Sequence, residues 1–169
     1  MSSSNRCARW IVLLAAASGL AACGFHLRGE AHYAFETVFL SAPPALPITI
    51  ELKRSLQGIG SAKLVATAPA AQVVLDIVSV EDNKQILSLS GGGKVSEFLL
   101  IKRVLVRVHD NDGADWLPIS EVLVRRSYTY SDTEALAKEA QEQRLWREMQ
   151  TDAVQQIVRR LQAARKPTA

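Results

Sequence analysis

The 169-residue chain has two cysteines, two methionines and 6% aromatic residues, and each scarcity removes a class of explanation. If Cys7 is lost with the N-terminal stretch, Cys23 stands alone, and no disulfide can form within the remainder in any compartment. The three histidines, His26, His32 and His109, lack partners at metal-ligand spacing, so no metal or other cofactor is expected. No apolar run reaches the roughly 20 residues that a bilayer-spanning helix needs. No Lys/Arg block is long enough to act as a binding arm, so no nucleic-acid partner is expected. Catalytic patterns are missing too. Gly91-Gly92-Gly93-Lys94 invites a phosphate-loop reading, but Ser88 stands where the first glycine belongs and Val95 follows the lysine. No Gly-x-Ser-x-Gly elbow occurs. The expectation is a protein that is not an enzyme and has no catalytic residues.

What is present begins with a targeting pattern. Arg6 and Arg9 form a positive start, Trp10 to Ala17 a short apolar run, and Ser18-Gly19-Leu20-Ala21-Ala22 a small-residue approach to Cys23. Residues 1–22 therefore read as a lipoprotein signal peptide that is removed, leaving 169 − 22 = 147 residues. That length is ample for one domain with its own core, residues 23–169. Two of the 20 basic residues leave and none of the 17 acidic ones, so the remainder carries 18 − 17 = +1. The overall pI near 9.0 thus overstates the basicity of the folded part. Cys23 becomes the candidate for lipidation. One acyl chain holds a protein to a membrane only marginally, whereas a diacylglyceryl group plus an N-acyl chain anchors it.

Downstream, Thr37-Val38-Phe39-Leu40 reads as a short strand, broken by Pro43, Pro44 and Pro47. Pro47 suits a first helical turn, and Ile48, Leu52, Leu56 and Ile59 follow at helical spacing up to Gly58 and Gly60. Glu51, Lys53, Arg54 and Gln57 fall on the wet side of that helix. Alternation then takes over at Val73 to Val78 and again at Ile86-Leu87-Ser88-Leu89, before a glycine turn ending at Lys94. The longest strand spans Glu97 to His109. Phe98, Leu100, Val104, Val106 and Val108 share one face, interrupted by Lys102, and Leu99, Ile101, Arg103, Leu105, Arg107 and His109 share the other. Asp110-Asn111-Asp112-Gly113 is a turn, and Ile119 to Tyr130 returns as a hairpin partner. Asp132 or Thr133 is positioned to cap a closing helix. Leu145, Met149, Ala153, Ile157 and Leu161 give that helix its apolar stripe. The expected fold class is α+β, two layers: a mostly antiparallel sheet of about four strands with two helices packed on one face.

The run Cys23-Gly24-Phe25-His26-Leu27-Arg28 closely resembles the start of mature members of the LptE (RlpB) family, the lipopolysaccharide-assembly lipoproteins of Gram-negative outer membranes. Gly93-Lys94-Val95-Ser96-Glu97-Phe98 is similar to that family's loop-to-strand passage. Arg126-Ser127-Tyr128-Thr129-Tyr130 with Leu136-Ala137-Lys138 is similar to its last strand and the start of its last helix. The resemblance implies a protein lipidated at Cys23, anchored on the periplasmic face of the outer membrane, that plugs and helps assemble the LptD β-barrel. It also implies binding of lipopolysaccharide for delivery to the outer leaflet. Lys94 and Lys138 match positions near the family's ligand-contacting end, and Arg103, Arg107 and Arg125 would add charge on the other strand face. Leu99, Ile101, Leu105 and Leu123 make that face too apolar to be merely wet, and they become the expected contacts with the barrel. The competing expectation is a lipid-anchored scaffold of another envelope assembly machine, without lipopolysaccharide binding.

Overall fold

The computed structural model describes residues 33–58 and 61–167. The signal-peptide stretch, Cys23, His26, His32, Ile59 and Gly60 lie outside them. In chain order the elements are β1 (Thr37–Ser41), α1 (Pro47–Gly58), β2 (Lys63–Leu64), β3 (Val73–Leu89), β4 (Val95–His109), β5 (Asp115–Thr129) and α2 (Ala135–Ala163). The strands form one sheet in the order β2-β1-β3-β4-β5. β1 runs parallel to β2 and β3, while β4 is antiparallel to both of its neighbours, β3 and β5. The α+β expectation holds, with five strands instead of about four. The extra one, β2, has only two residues, too few for any period-two pattern to register in sequence.

The two stretches read separately as Val73–Val78 and Ile86–Leu89 are one 17-residue strand, β3. Val78 is the reason for the apparent break. It sits at a register shift between Ile77 and Ser79 and is half exposed, so alternation reverses there without ending the strand.

α1 begins at Pro47, where a missing N–H does no harm, and buries Ile48, Leu52 and Leu56 against the sheet. Glu51 is not simply solvated. It accepts hydrogen bonds from Gln150 Nε2 at 2.8 Å and Thr151 Oγ1 at 2.7 Å, tying α1 to α2. α2 buries Met149, Ala153, Val154, Ile157 and Leu161. Its expected cap is replaced: Asp132–Glu134 form a 3-10 turn, and Glu134, at the cap position, makes no side-chain cap bond. Asp132 and Thr133 lie in that turn, so neither caps the helix, and the Asp132 carboxylate faces Lys94.

Both helices cover the same side of the sheet. On that side Val80, Val104 and Val122 align across three strands, as do Ile77 with Val106 and Leu75 with Val108. Leu100, Val104, Val106, Val108 and Val122 are fully buried there. Burial of each such side chain is worth roughly 1.5–3 kcal/mol, which is what fixes the hairpin register. The opposite side bears Leu99, Ile101, Arg103, Leu105 and Arg107 of β4 with Glu121, Leu123, Arg125 and Ser127 of β5, and no described element covers it.

The topology gives the domain two ends. At one, the chain arrives at Tyr33, α1 and α2 finish, and the Asp110–Gly113 turn joins β4 to β5. At the other, the Ser90–Lys94 turn joins β3 to β4, β5 finishes, and α2 begins.

Candidate functional site

The second end gathers most of the chemistry. Gly93 adopts φ +75, a conformation open to glycine at little cost, and its N–H donates to Ser90 O at 2.9 Å; Ser90 N–H donates to Lys94 O at 2.7 Å. A Cβ built on Gly91 or Gly92 would meet nothing within 4 Å, so the turn stands clear of the body and holds up Lys94. Lys94 Nζ lies 3.3 Å from Asp132, with both side chains mostly exposed. Lys138, in the first turns of α2, is half-buried, with its ammonium 3.8 Å from Glu134 and donating to Thr129 Oγ1 at 3.3 Å. The two lysines thus share one end, each facing a carboxylate of the same short connection between β5 and α2.

A second, more buried group lies just below, and the sequence reading missed it. Glu142 of α2 accepts from Lys84 Nζ at 2.5 Å, Tyr128 OH at 2.5 Å and Trp146 Nε1 at 3.3 Å. The Lys84 ammonium also sits 4.1 Å from the Phe98 ring centroid, a cation–π contact. Burial alone would raise the Glu142 carboxyl, but bonds from Lys84, Tyr128 and Trp146 outweigh it and hold the pKa below the usual value. Burial likewise works against charge on Lys84, yet its bonds to Glu142 and Tyr128 and the Glu142 charge leave its pKa raised. Burial raises the Tyr128 hydroxyl, and the bond to Glu142 adds to this. This cluster pins the free half of β3 to α2. Parity read from Val73, Leu75 and Ile77 would have put Lys84 on the other face; the register shift at Val78 turns Val80, Asp82, Lys84 and Ile86 to the helix-facing side.

Grooves flank the first turns of α2. One, of about 430 Å³, is lined by Thr133, Leu136, Lys138 and Gln141; the other, of about 500 Å³, by Lys84, Tyr128, Tyr130, Leu136 and Glu139. Leu136, 83% exposed, lines both. The first groove also holds Glu134 beside Lys138 and the second Glu142 beside Lys84, so exposed Leu136 stands between two margins of mixed charge, each with a lysine already facing a carboxylate.

The remaining expected residues lie on the uncovered sheet face. Arg103 Nε is 2.8 Å from Glu121 and Arg107 Nε is 2.6 Å from Asp115, so both are occupied by carboxylates across the hairpin. Arg125 has no ion-pair partner among the described residues. None of the three belongs to the end that holds Lys94 and Lys138. Leu99, Ile101, Leu105 and Leu123 are half-buried among them. His109, on the same face, is 3.0 Å from Asp76 through Nε2 and 2.7 Å from the Asp110 carbonyl through Nδ1. On the covered face, Lys102 is 4% exposed and donates to both oxygens of Asp82, at 2.5 and 2.8 Å, beneath the Trp146 ring.

Comparison with known proteins gives a consistent set of matches. The family model described as LptE, lipopolysaccharide-assembly, matches residues 35–161. The LPS-assembly lipoprotein LptE of Pectobacterium atrosepticum is 31% identical over 145 residues, covering 83% of this chain and 77% of that protein. The LptE of Photorhabdus laumondii is 31% identical over 144 residues, covering 83% and 78%. Among solved structures, the solution structure of an uncharacterized lipoprotein B from Nitrosomonas europaea superposes with a TM-score of 0.73 at 39% identity. It covers 83% of this chain and 91% of that one.

Proposed function

The chain belongs to the LptE family of lipopolysaccharide-assembly lipoproteins, and from that premise we propose how its parts divide the work. The observation that carries the assembly role is the family match across residues 35–161, nearly the whole described domain. It acts as a non-enzymatic lipoprotein of the outer membrane.

In the proposed reading, residues 1–22 are removed and Cys23 is lipidated, which tethers the domain 23–169 to the periplasmic face. The end bearing Lys94 and Lys138 binds lipopolysaccharide. Its phosphates exchange with Asp132 and Glu134 for the two ammonium groups, and its acyl chains lie along the Leu136 ridge. The exposure of the Lys94–Asp132 pair supports this, because a surface ion pair is worth little and is readily exchanged for a phosphate. The uncovered sheet face meets the partner, a large outer-membrane barrel of the LptD kind. Its mixture of half-buried Leu99, Ile101, Leu105 and Leu123 with Arg103 and Arg107, each paired to a carboxylate, suits a barrel lumen, which is polar yet packed.

The test is purification of the tagged chain from envelopes, followed by lipopolysaccharide binding. Wild type should bring down a large β-barrel. Lys94→Glu with Lys138→Glu should keep the circular-dichroism spectrum and the barrel while weakening lipopolysaccharide binding at least about tenfold, from roughly 1–3 kcal/mol per lost charge-assisted contact. Unchanged ligand binding would remove these lysines from the site. Failure to recover any barrel would favour a scaffold of another envelope machine.

A further inference from the structure

The end of the domain opposite the Gly91–Lys94 turn carries a set of cations that the assembly role leaves unused. From Ala153 to Pro167 the sequence has four cations, Arg159, Arg160, Arg165 and Lys166, and no acid. None of the four has an ion-pair partner among the described residues, whereas Lys84, Lys94, Lys102, Arg103, Arg107 and Arg126 each face a carboxylate. Arg165 folds back on the helix terminus and donates to the carbonyls of Gln162 and Ala164 at 2.7 and 2.8 Å, which fixes its charge at the last turn. Lys63, exposed on β2, adds a fifth unpaired cation at the same end of the chain topology.

The acids at this end belong to the sheet layer; Asp110, Asp115 and Asp76 are engaged there, whereas the carboxylates of Glu36 and Asp112 face no cation among the described residues. Asp110 accepts from the N–H groups of Asp112 and Ala114 within its own turn. Its carboxyl sits below the usual value chiefly through the Ala114 bond, with Lys166 adding a smaller effect, which puts Lys166 beside that turn. Asp115 pairs with Arg107 and Asp76 with His109. The positive charge therefore gathers in the helical layer, around the last turns of α2, with Arg159, Arg160 and Arg165 in no ion pair among the described residues and Lys166 beside the Asp110 turn.

This is also the end at which the tethered segment joins the domain. The Tyr33 N–H donates to Ser61 Oγ at 3.4 Å, and the Tyr33 ring is buried beside Gln162 of α2. Nine residues separate Cys23 from Tyr33, a reach of at most about 35 Å. A lipid on Cys23 would keep the α2 terminus within that reach of the bilayer, short enough for it to approach to the Debye length of about 8–10 Å over which cations and anionic headgroups attract.

We propose that the C-terminal turns of α2, through Arg159, Arg160, Arg165 and Lys166, dock on the anionic phospholipid headgroups of the membrane that holds the tether. The two signals act together. The lipid supplies the apolar partitioning, and the basic turns set which side of the domain faces the bilayer, leaving the Lys94 end pointing away from the headgroups. The proposal extends the Cys23 anchor, but its test uses a chain without one, so the two stand or fall separately.

The probe is a chain beginning at Gly24, which retains every residue of the described core from Tyr33 to Ala164, mixed with extruded vesicles and sedimented. It should bind vesicles of phosphatidylethanolamine with phosphatidylglycerol, lose that binding as salt rises, and leave phosphatidylcholine vesicles in solution. Each cation near the surface contributes roughly fivefold to partitioning. Arg159→Gln, Arg160→Gln, Arg165→Gln and Lys166→Gln together should therefore weaken binding by at least about tenfold. Glutamine keeps the helix propensity of the replaced residues, and circular dichroism checks that the fold remains. Equal binding to phosphatidylcholine, no binding to the anionic vesicles, or binding unchanged by the four substitutions would each overturn the proposal. So would tighter, substitution-sensitive binding to lipopolysaccharide-containing vesicles, which would assign the cations to that ligand.

Discussion

Replacing Asp82 by alanine should destabilise the domain more than replacing Lys102 by methionine, although the two residues form one ion pair. The asymmetry comes from where each charge is left. The Lys102 side chain is 5% exposed and the Asp82 side chain 48%. Removing Lys102 leaves a carboxylate with access to water, and methionine refills the apolar track of the lysine stem beneath Trp146 and beside Val80 and Val124. The expected change is within about 1 kcal/mol of neutral, in either direction, since a buried ion pair often breaks even against an apolar replacement. Removing Asp82 leaves an ammonium in the core with no counter-charge. Breaking a buried pair from that side costs about 3–5 kcal/mol, and the half-exposed position of Asp82 discounts this to about 2–4 kcal/mol. With a urea slope of about 1–3 kcal/mol per molar, Asp82→Ala should lower the unfolding midpoint by about 1–2 M, and Lys102→Met should barely move it. Circular dichroism at 222 nm reads both. Equal midpoints for the two variants would refute the reasoning, because they would mean that the Lys102 ammonium reaches water without its partner.

The two faces of the hairpin give a second contrast. Val104→Asp, at a fully buried position between Val80 and Val122, should unfold the domain at a cost above about 4 kcal/mol; Leu99→Glu, opposite Ser127 and Gln85, should stay folded yet reduce recovery of the barrel. Unfolding by both would mean that the uncovered face is core. The Glu142 cluster predicts a pH dependence: a carboxyl depressed in the folded state contributes stability above its ordinary value, 4.5, and loses it as pH falls through the folded value. Glu142→Gln should therefore lower thermal stability at neutral pH and flatten its fall in acid; an unchanged acid slope would place the titrating group elsewhere. Cys23→Ala should abolish lipid labelling and, in cells without the barrel partner, shift the protein out of the membrane fraction. Persistent fractionation with the membrane would defeat the lipoprotein reading of residues 20–23.

Period and punctuation carried most of the architecture in the sequence itself. Val104, Val106 and Val108 against Leu99, Ile101 and Leu105 set the faces of β4, because a strand alternates whatever its neighbours are. Pro47 and Gly58 bounded α1, because one lacks a donor and the other disfavours helix. The spacing of Met149, Ala153, Ile157 and Leu161 set the inward stripe of α2. The N-terminal pattern up to Cys23 is a reading of local charge, apolarity and small residues that needs no folding, and it lies outside the described residues. Tertiary structure alone decided the rest. β2 exists because β1 offers an edge to Lys63–Leu64, and a two-residue pairing has no signature of its own. Asp132 and Thr133 do not cap α2 because they lie in a 3-10 turn that moves the helix start to Ala135, a shift that local propensity does not see. Glu142 collects Lys84, Tyr128 and Trp146 from three elements, and Lys102 is held in the core by Asp82 from the neighbouring strand. Charges of this kind are placed by contacts distant in sequence, and only packing decides which of them are compensated and which, like the arginines on the last turns of α2, have no ion-pair partner among the described residues.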